Sequence, residues 1–154
     1  MSSEKHNLEN NIYLIDGSGF IFRAYYALPA LTRSDGLPVG AISGFCNMLY
    51  KLLNNTRSNE INKPTHIAVV FDHKGPTFRS KIYSDYKMNR SEPPEDLIPQ
   101  FELIRQATKA YGLPCLEMEG YEADDIIATY VELAKNNGWE ATIISSDRSY
   151  ATCL

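Results

Sequence analysis

The sequence predicts a single α/β domain built on a mainly parallel sheet, and three observations carry that expectation. Short apolar runs, 12–15, 67–71 and 141–144, alternate with longer stretches whose apolar residues recur at helical spacing. Such alternation implies parallel strands joined by right-handed helical crossovers. An acid follows each run: Asp16, Asp72 and, two serines further on, Asp147. In open α/β sheets ligands bind beyond the carboxyl ends of the strands, so these acids are expected on one functional edge. At 154 residues the chain is long enough for one domain with a real core.

Ile12 to Ile15 is expected as the first strand. Gly17-Ser18-Gly19 breaks it and opens a helix from Phe20 to Leu28, stopped by Pro29. Thr32 to Pro38 carries turn chemistry, with Asp35-Gly36 its strongest signal. From Gly40, residues Ile42, Phe45, Cys46, Leu49, Leu52 and Leu53 fall at helical spacing and define a core face. Asn54 to Lys63 reads as polar connector. Ile67 to Phe71 is a run of β-formers, as a central strand covered on both faces requires. Segment 73–96 has little apolar periodicity and reads as an irregular insert.

A helix resumes at Leu97 with Leu97, Ile98, Phe101, Ile104 and Ala107 as its buried stripe, and Gly112 as its stop. Leu113 to Leu116 is a short strand. Glu122 to Lys135 is helical, ended by Asn136-Asn137-Gly138, and Ala141 to Ser145 is the last strand.

The apolar fraction of 44% and charged fraction of 22% are those of a soluble globular protein. No stretch approaches the roughly 18 to 20 apolar residues of a membrane span. Met1 to Asn11 is polar with both charges, so neither a secretory signal nor a transit peptide is expected, and a cytoplasmic location is the default. Cys46, Cys115 and Cys153 show no metal or disulfide spacing and read as reduced thiols. His73, beside Asp72, could reach the strand edge, although an exposed loop histidine is the simpler reading.

Glu122, Asp124 and Asp125 add to the three strand-end acids, because they open the helix that starts near 122. Carboxylates gathered at one edge repel each other unless cations sit among them. Hard divalent ions such as Mg²⁺ take oxygen ligands, so a donor set of acids without His or Cys fits them. Two ions about 3.5 to 4 Å apart can support phosphodiester hydrolysis. Two simpler readings stay open. The triplet can be compensating a helix dipole, and Asp16 and Asp72 can be capping or turn residues.

Net charge is −4, but five cations, Lys74, Arg79, Lys81, Lys87 and Arg90, fall against one acid between positions 74 and 90. Local patches, not totals, bind phosphate. The insert interleaves these cations with Phe78, Tyr83 and Tyr86, and aromatic stacking on unpaired bases is worth about 1–3 kcal/mol each. A solvated basic loop whose tyrosines pack on the domain would look the same in composition.

These residues together resemble the 5′-nuclease domain at the N-terminus of bacterial DNA polymerase I, within the flap endonuclease and PIN-like superfamily. The motifs are Leu14-Ile15-Asp16-Gly17-Ser18 with Phe22-Arg23-Ala24-Tyr25-Tyr26, then Val70-Phe71-Asp72 and Phe78-Arg79. Tyr86-Lys87-x-Asn89-Arg90, Gly120-Tyr121-Glu122-Ala123-Asp124-Asp125 and Ile144-Ser145-Ser146-Asp147 complete the set. The resemblance runs from about Asn11 to Arg148. It implies a PIN-like three-layer α/β fold with a helical-arch insert over about 74–96. It also implies 5′-3′ exonuclease or 5′-flap endonuclease activity on DNA, with two Mg²⁺ or Mn²⁺ ions.

By resemblance, Asp16, Asp72, Glu122 and Asp124 belong mainly to the first metal, and Asp125 and Asp147 lie toward the second. Lys87 resembles the arch lysine near the scissile phosphate, with Arg79 and Arg90 as strand-guiding cations of the catalytic region. Arg23 and Lys81 would contact DNA and Tyr86 would stack on it.

One departure stands out. After Asp147 the family usually continues Lys-Asp-Leu-Met-Gln-Leu, whereas this chain reads Arg148-Ser149-Tyr150-Ala151-Thr152-Cys153-Leu154. Deleting two adenines from codons for the usual ending reproduces Asp147 to Cys153. Expected from this are a polar tail over 1–10, the α/β domain over 11–148, and an aberrant, frame-shifted tail over 149–154. A C-terminally truncated domain would lack the later acids of the second metal and the duplex-gripping module, and cleavage would be impaired. A catalytically dead DNA-binding remnant, a PIN-type ribonuclease and a receiver-like phosphoacceptor domain are the competing readings.

Overall fold

The computed structural model describes residues 10–58, 63–86, 92–146 and 151–153. Its elements run β1 (Asn11–Asp16), α1 (Gly17–Ala27), α2 (Gly40–Ser58), β2 (His66–Val70), α3 (Phe78–Ile82), α4 (Ile98–Ala110), β3 (Cys115–Leu116), α5 (Ala123–Asn136), β4 (Glu140–Ile144) and β5 (Ala151–Cys153). The sheet order is β3-β2-β1-β4-β5. The first four strands in that order pair in parallel, and β5 adds an antiparallel edge to β4, which the apolar pattern did not predict.

Strand side chains alternate between two cores, as the period of two requires. Ile15, Val69, Phe71 and Ile144 pack with Ile21 of α1, Phe45 and Leu49 of α2, and Leu97 and Ile104 at α4. Ile12, Leu14, Ala68, Val70 and Ala141 face the other way, onto Ala123, Ile127 and Ala134 of α5. The sheet is therefore the middle of three layers. Register brings the strand ends into step, with Asp16 opposite Val70 and Ile15 opposite Ile144.

Four local expectations need correcting. Gly17-Ser18-Gly19 does not interrupt the chain but forms the first turn of α1, because Asp16 caps it by accepting from the Gly19 N–H at 3.3 Å. Gly17 is there for closeness: a Cβ would lie 2.6 Å from Phe71 Cε1 and 2.9 Å from Val69 Cγ1. Helix α2 continues through Asn54 to Ser58, where polar side chains face water while Thr56 and Ser58 bond back to Leu53 and Asn55 carbonyls.

Helix α4 buries Gln100 and Thr108 beside Ile104, while Ile98 is 45% exposed. Gln100 is stable inside because it accepts from the Ile42 N–H at 3.0 Å and donates to the Asp96 carbonyl at 2.8 Å. Segment 73–96, expected from its pattern to be irregular, contains the short helix α3, whereas the glycine stop signals hold. Gly36, Gly112 and Gly138 have positive φ at the turn and at the two helix ends. Cys46 and Cys115 are free thiols, pushed up from the ordinary thiol range chiefly by burial. Among the described residues no helix is long and apolar enough to cross a membrane.

Candidate functional site

The site is built where β1, β2 and β4 end and α5 begins. Asp16 sits at the tip of the central strand and turns back to cap α1. Asp72 lies two residues past β2, and its Oδ1 accepts from the Ala123 N–H at 2.6 Å. That bond pins the start of α5 to the end of β2 and places a carboxylate at a helix N-terminus, where the backbone dipole favours it. The capping reading of both aspartates is thus realised, and so is their shared edge. Ser146 arrives from β4, and Arg23 of α1 donates Nη1 to its carbonyl at 2.6 Å.

Helix α5 contributes the second group of acids. Asp125 accepts from the Glu122 N–H at 3.0 Å, so Asp125 secures its own helix start. Glu122 and Asp125 lie on one side, three residues apart, and both are largely buried, with side chains 15% and 17% exposed. Asp124 is exposed and takes part in none of these contacts.

Above these acids lies the insert. The Phe78 N–H donates to the Gly120 carbonyl at 2.7 Å, and the Phe78 ring stands 5.4 Å from that of Tyr121. Docked this way, α3 delivers Arg79 straight onto the acids. Nη1 reaches Asp125 Oδ2 at 2.7 Å, Nη2 reaches Oδ1 at 2.5 Å, and Glu122 Oε2 is 3.5 Å from Nη1. These bonds raise the guanidinium further above its already high range, with the Asp125 hydrogen bond as the main cause. The Tyr86 hydroxyl lies 3.4 Å from both Glu122 oxygens, and Arg79 lies over the Phe78 ring at 4.5 Å. Lys81 and Tyr83 are exposed on the same segment.

The donor set suits a hard divalent cation, being all oxygen and drawn from several elements at one edge. In this arrangement, however, among the described residues no group of three or more His, Cys, Asp or Glu side chains is placed to hold a metal ion. The reason is visible in the partners: Asp72 is turned to the Ala123 N–H, and Arg79 supplies the positive charge between Asp125 and Glu122. Lys87, Arg90 and Asp147 lie outside the described residues. His73 pairs with Glu117, Nδ1 to Oε2 at 3.6 Å.

Two residues of this region escaped the sequence reading. Ser18 accepts the Asp72 N–H at 2.8 Å, and Arg105 of α4 donates Nη2 to the Asp72 carbonyl at 2.9 Å. A charge next to the buried stripe of α4 was the available signal for Arg105.

The profile of the family described as "5′-3′ exonuclease, N-terminal resolvase-like domain" matches residues 11–154. The chain belongs to this family. It is 60% identical over 141 residues to DNA polymerase I of Rhizobium leguminosarum, covering 90% of this chain and 14% of the polymerase. It is 42% identical over 137 residues to a 5′-3′ exonuclease of Aquifex aeolicus (strain VF5), covering 89% of this chain and 45% of that protein. The chain therefore spans less than half the length of these relatives.

The fold is shared with phage T5 5′-exonuclease bound to zinc, at a TM-score of 0.60 and 23% identity over 88% of this chain and 49% of that one. A T5 flap endonuclease solved as a pseudo-enzyme-product complex with DNA and metal ions aligns at a TM-score of 0.58 and 19% identity, over 88% and 48% of the two chains. Within this 5′-3′ exonuclease family, the α/β architecture with its PIN-like layering is the expected one.

Proposed function

We propose that this domain is the metal-holding and strand-capturing part of a 5′-3′ exonuclease or 5′-flap endonuclease acting on DNA in replication and repair. One observation carries the reading most: the cationic, aromatic insert that includes α3 docks directly over Glu122 and Asp125 at the start of α5, which Asp72 in turn ties to the strand-end edge. Basic and acidic halves of a phosphodiester site thus meet, although 46 residues separate Arg79 from Asp125.

Asp16, Asp72, Glu122 and Asp124 would hold one Mg²⁺ or Mn²⁺, with Asp125 and Asp147 toward a second. When bound, such ions polarise a phosphate oxygen and make water a better nucleophile near neutral pH. The chain's own groups do the rest. Lys87, Arg79 and Arg90 neutralise the phosphate nearest the cut, Arg23 and Lys81 hold the backbone, and Tyr86 offers a stacking face. Arg79 must exchange its carboxylate partners for phosphate when DNA arrives. The substrate would be DNA with a 5′ end or flap, the place of action the cytoplasm, and the remainder of a polymerase a further partner.

Ser149 stands where the family usually has an acid. We accordingly expect weak cleavage combined with salt-sensitive binding of single strands. The test is a labelled 5′-flap substrate with Mg²⁺ or Mn²⁺, beside an RNA strand and an Asp72→Ala control. Turnover equal to an intact family domain overturns the impairment. Binding without cleavage, indifferent to Asp72→Ala, indicates a DNA-binding remnant, and preference for RNA indicates a ribonuclease.

A further inference from the structure

We propose that Arg105 is a positioning residue that fixes Asp72 by its main chain while leaving the Asp72 carboxylate its charge; the consequence for cation binding rests on the nuclease reading above. The Arg105 side chain is 13% exposed, so its guanidinium has lost most of its water and needs partners. It has them. Nε and Nη2 donate to Glu117 Oε2 at 3.2 and 3.0 Å, Nη1 to the Phe101 carbonyl at 3.1 Å, and Nη2 to the Asp72 carbonyl at 2.9 Å. The plane also lies 4.8 Å from the centre of the Phe71 ring, itself fully buried.

Asp72 is where such help is needed. The ladder between β2 and β3 is followed by one last bond, Phe71 N–H to Leu116 carbonyl at 2.8 Å. Past it, the peptide groups of Asp72 bond to side chains. Its N–H goes to Ser18 Oγ of α1, its C=O receives Arg105 of α4, and its Oδ1 receives the Ala123 N–H of α5. Three helices thereby locate one residue at the edge of the sheet.

The division of labour within Arg105 matters most. Its charge is matched by Glu117, at the end of β3, and its contact with Asp72 is to a neutral carbonyl. Arg105 can therefore set where Asp72 stands without acting as the counter-ion of its carboxylate. A lysine, with its donors on one atom, cannot reproduce the spread of four bonds plus the ring contact.

The test measures amide hydrogen exchange and Mn²⁺ affinity in the whole chain carrying Arg105→Gln, Arg105→Lys, Asp72→Asn or Arg105→Gln with Asp72→Asn. Arg105→Gln should speed exchange at the Asp72 and Ala123 amides at least about tenfold while that at Leu14 stays unchanged. It should weaken Mn²⁺ binding by about tenfold, with Arg105→Lys intermediate and still folded should the glutamine variant not be. In the Asp72→Asn background the same change should cost no further Mn²⁺ affinity.

Unchanged exchange at Asp72 and Ala123 overturns the proposal, as does an undiminished Mn²⁺ effect when Asp72 is already Asn. If the parent chain binds no Mn²⁺ while Arg105→Gln still loosens both amides, the nuclease reading fails and the placement of Asp72 by Arg105 stands.

Discussion

Arg79 and Asp125 meet side-on, with two nitrogens of one facing two oxygens of the other at 2.7 and 2.5 Å. The pair joins the insert to the first turn of α5 and puts a fixed positive charge where a divalent ion is expected to act. Guanidinium and metal should therefore compete. Arg79→Gln is expected to tighten Mn²⁺ binding several-fold in the absence of DNA, read by electron paramagnetic resonance, and to weaken binding of a single-stranded oligonucleotide. Equal Mn²⁺ affinity in parent and variant would mean that the two cations do not share a place.

Lys81 is exposed on α3 and makes none of the bonds that hold the insert down. If it meets a phosphate, Lys81→Gln should lower the slope of log affinity against log salt by about 0.7 for a single strand. Fluorescence anisotropy across a salt series measures this. A slope identical to the parent's would place Lys81 away from the strand.

Gln100 and Thr108 are both polar and both buried on α4, yet their removal should differ. Gln100→Leu takes the side-chain partner from the Ile42 N–H, and a donor left unsatisfied away from water costs about 1–3 kcal/mol, whereas Asp96 is exposed and its carbonyl can turn to water. The Thr108 hydroxyl donates to the Ile104 carbonyl one turn back, a helix carbonyl that keeps its place in the ladder, so Thr108→Val should cost well under that. Urea denaturation midpoints, at constant m, separate the two. Similar losses in both would show that the Gln100 bridge between α2 and α4 contributes little.

The Tyr25 hydroxyl donates to Asp96 Oδ1 at 2.7 Å, which, as the first cause, raises its pKa above the ordinary phenol value. A folded-state pKa above the unfolded one means the folded chain binds the extra proton. Any stability from this contact is complete below about pH 10 and is lost as pH rises through the folded value. Ultraviolet titration should show one late-ionising tyrosine that disappears in Asp96→Asn. No change in the tyrosine titration on that substitution would refute the assignment.

How much of this was legible beforehand follows from the range of each interaction. Strands β1, β2 and β4 were plain because an apolar run bounded by polar residues needs no distant partner to be read. Asp16 and Asp72 were legible as edge residues for the same reason. The start of α1 was misread because three small residues look like a break, and only the packing of Gly17 on Phe71 shows why they are small. The α4 stripe was misread at Ile98, Gln100 and Thr108, since Gln100 owes its burial to Ile42, 58 positions away. The partners of Arg79 and Arg105, up to 46 and 33 positions away, cannot be read from local pattern, although a charge beside the α4 stripe marks Arg105 itself.

Gly17 has one more consequence. With Phe71 and Val69 already within 3 Å of any side chain placed there, every amino-acid substitution at position 17 should destabilise the domain regardless of chemistry, because buried neighbours must shift. In a saturation library this position would act as a built-in reference for strongly disfavoured changes, against which scores elsewhere can be read.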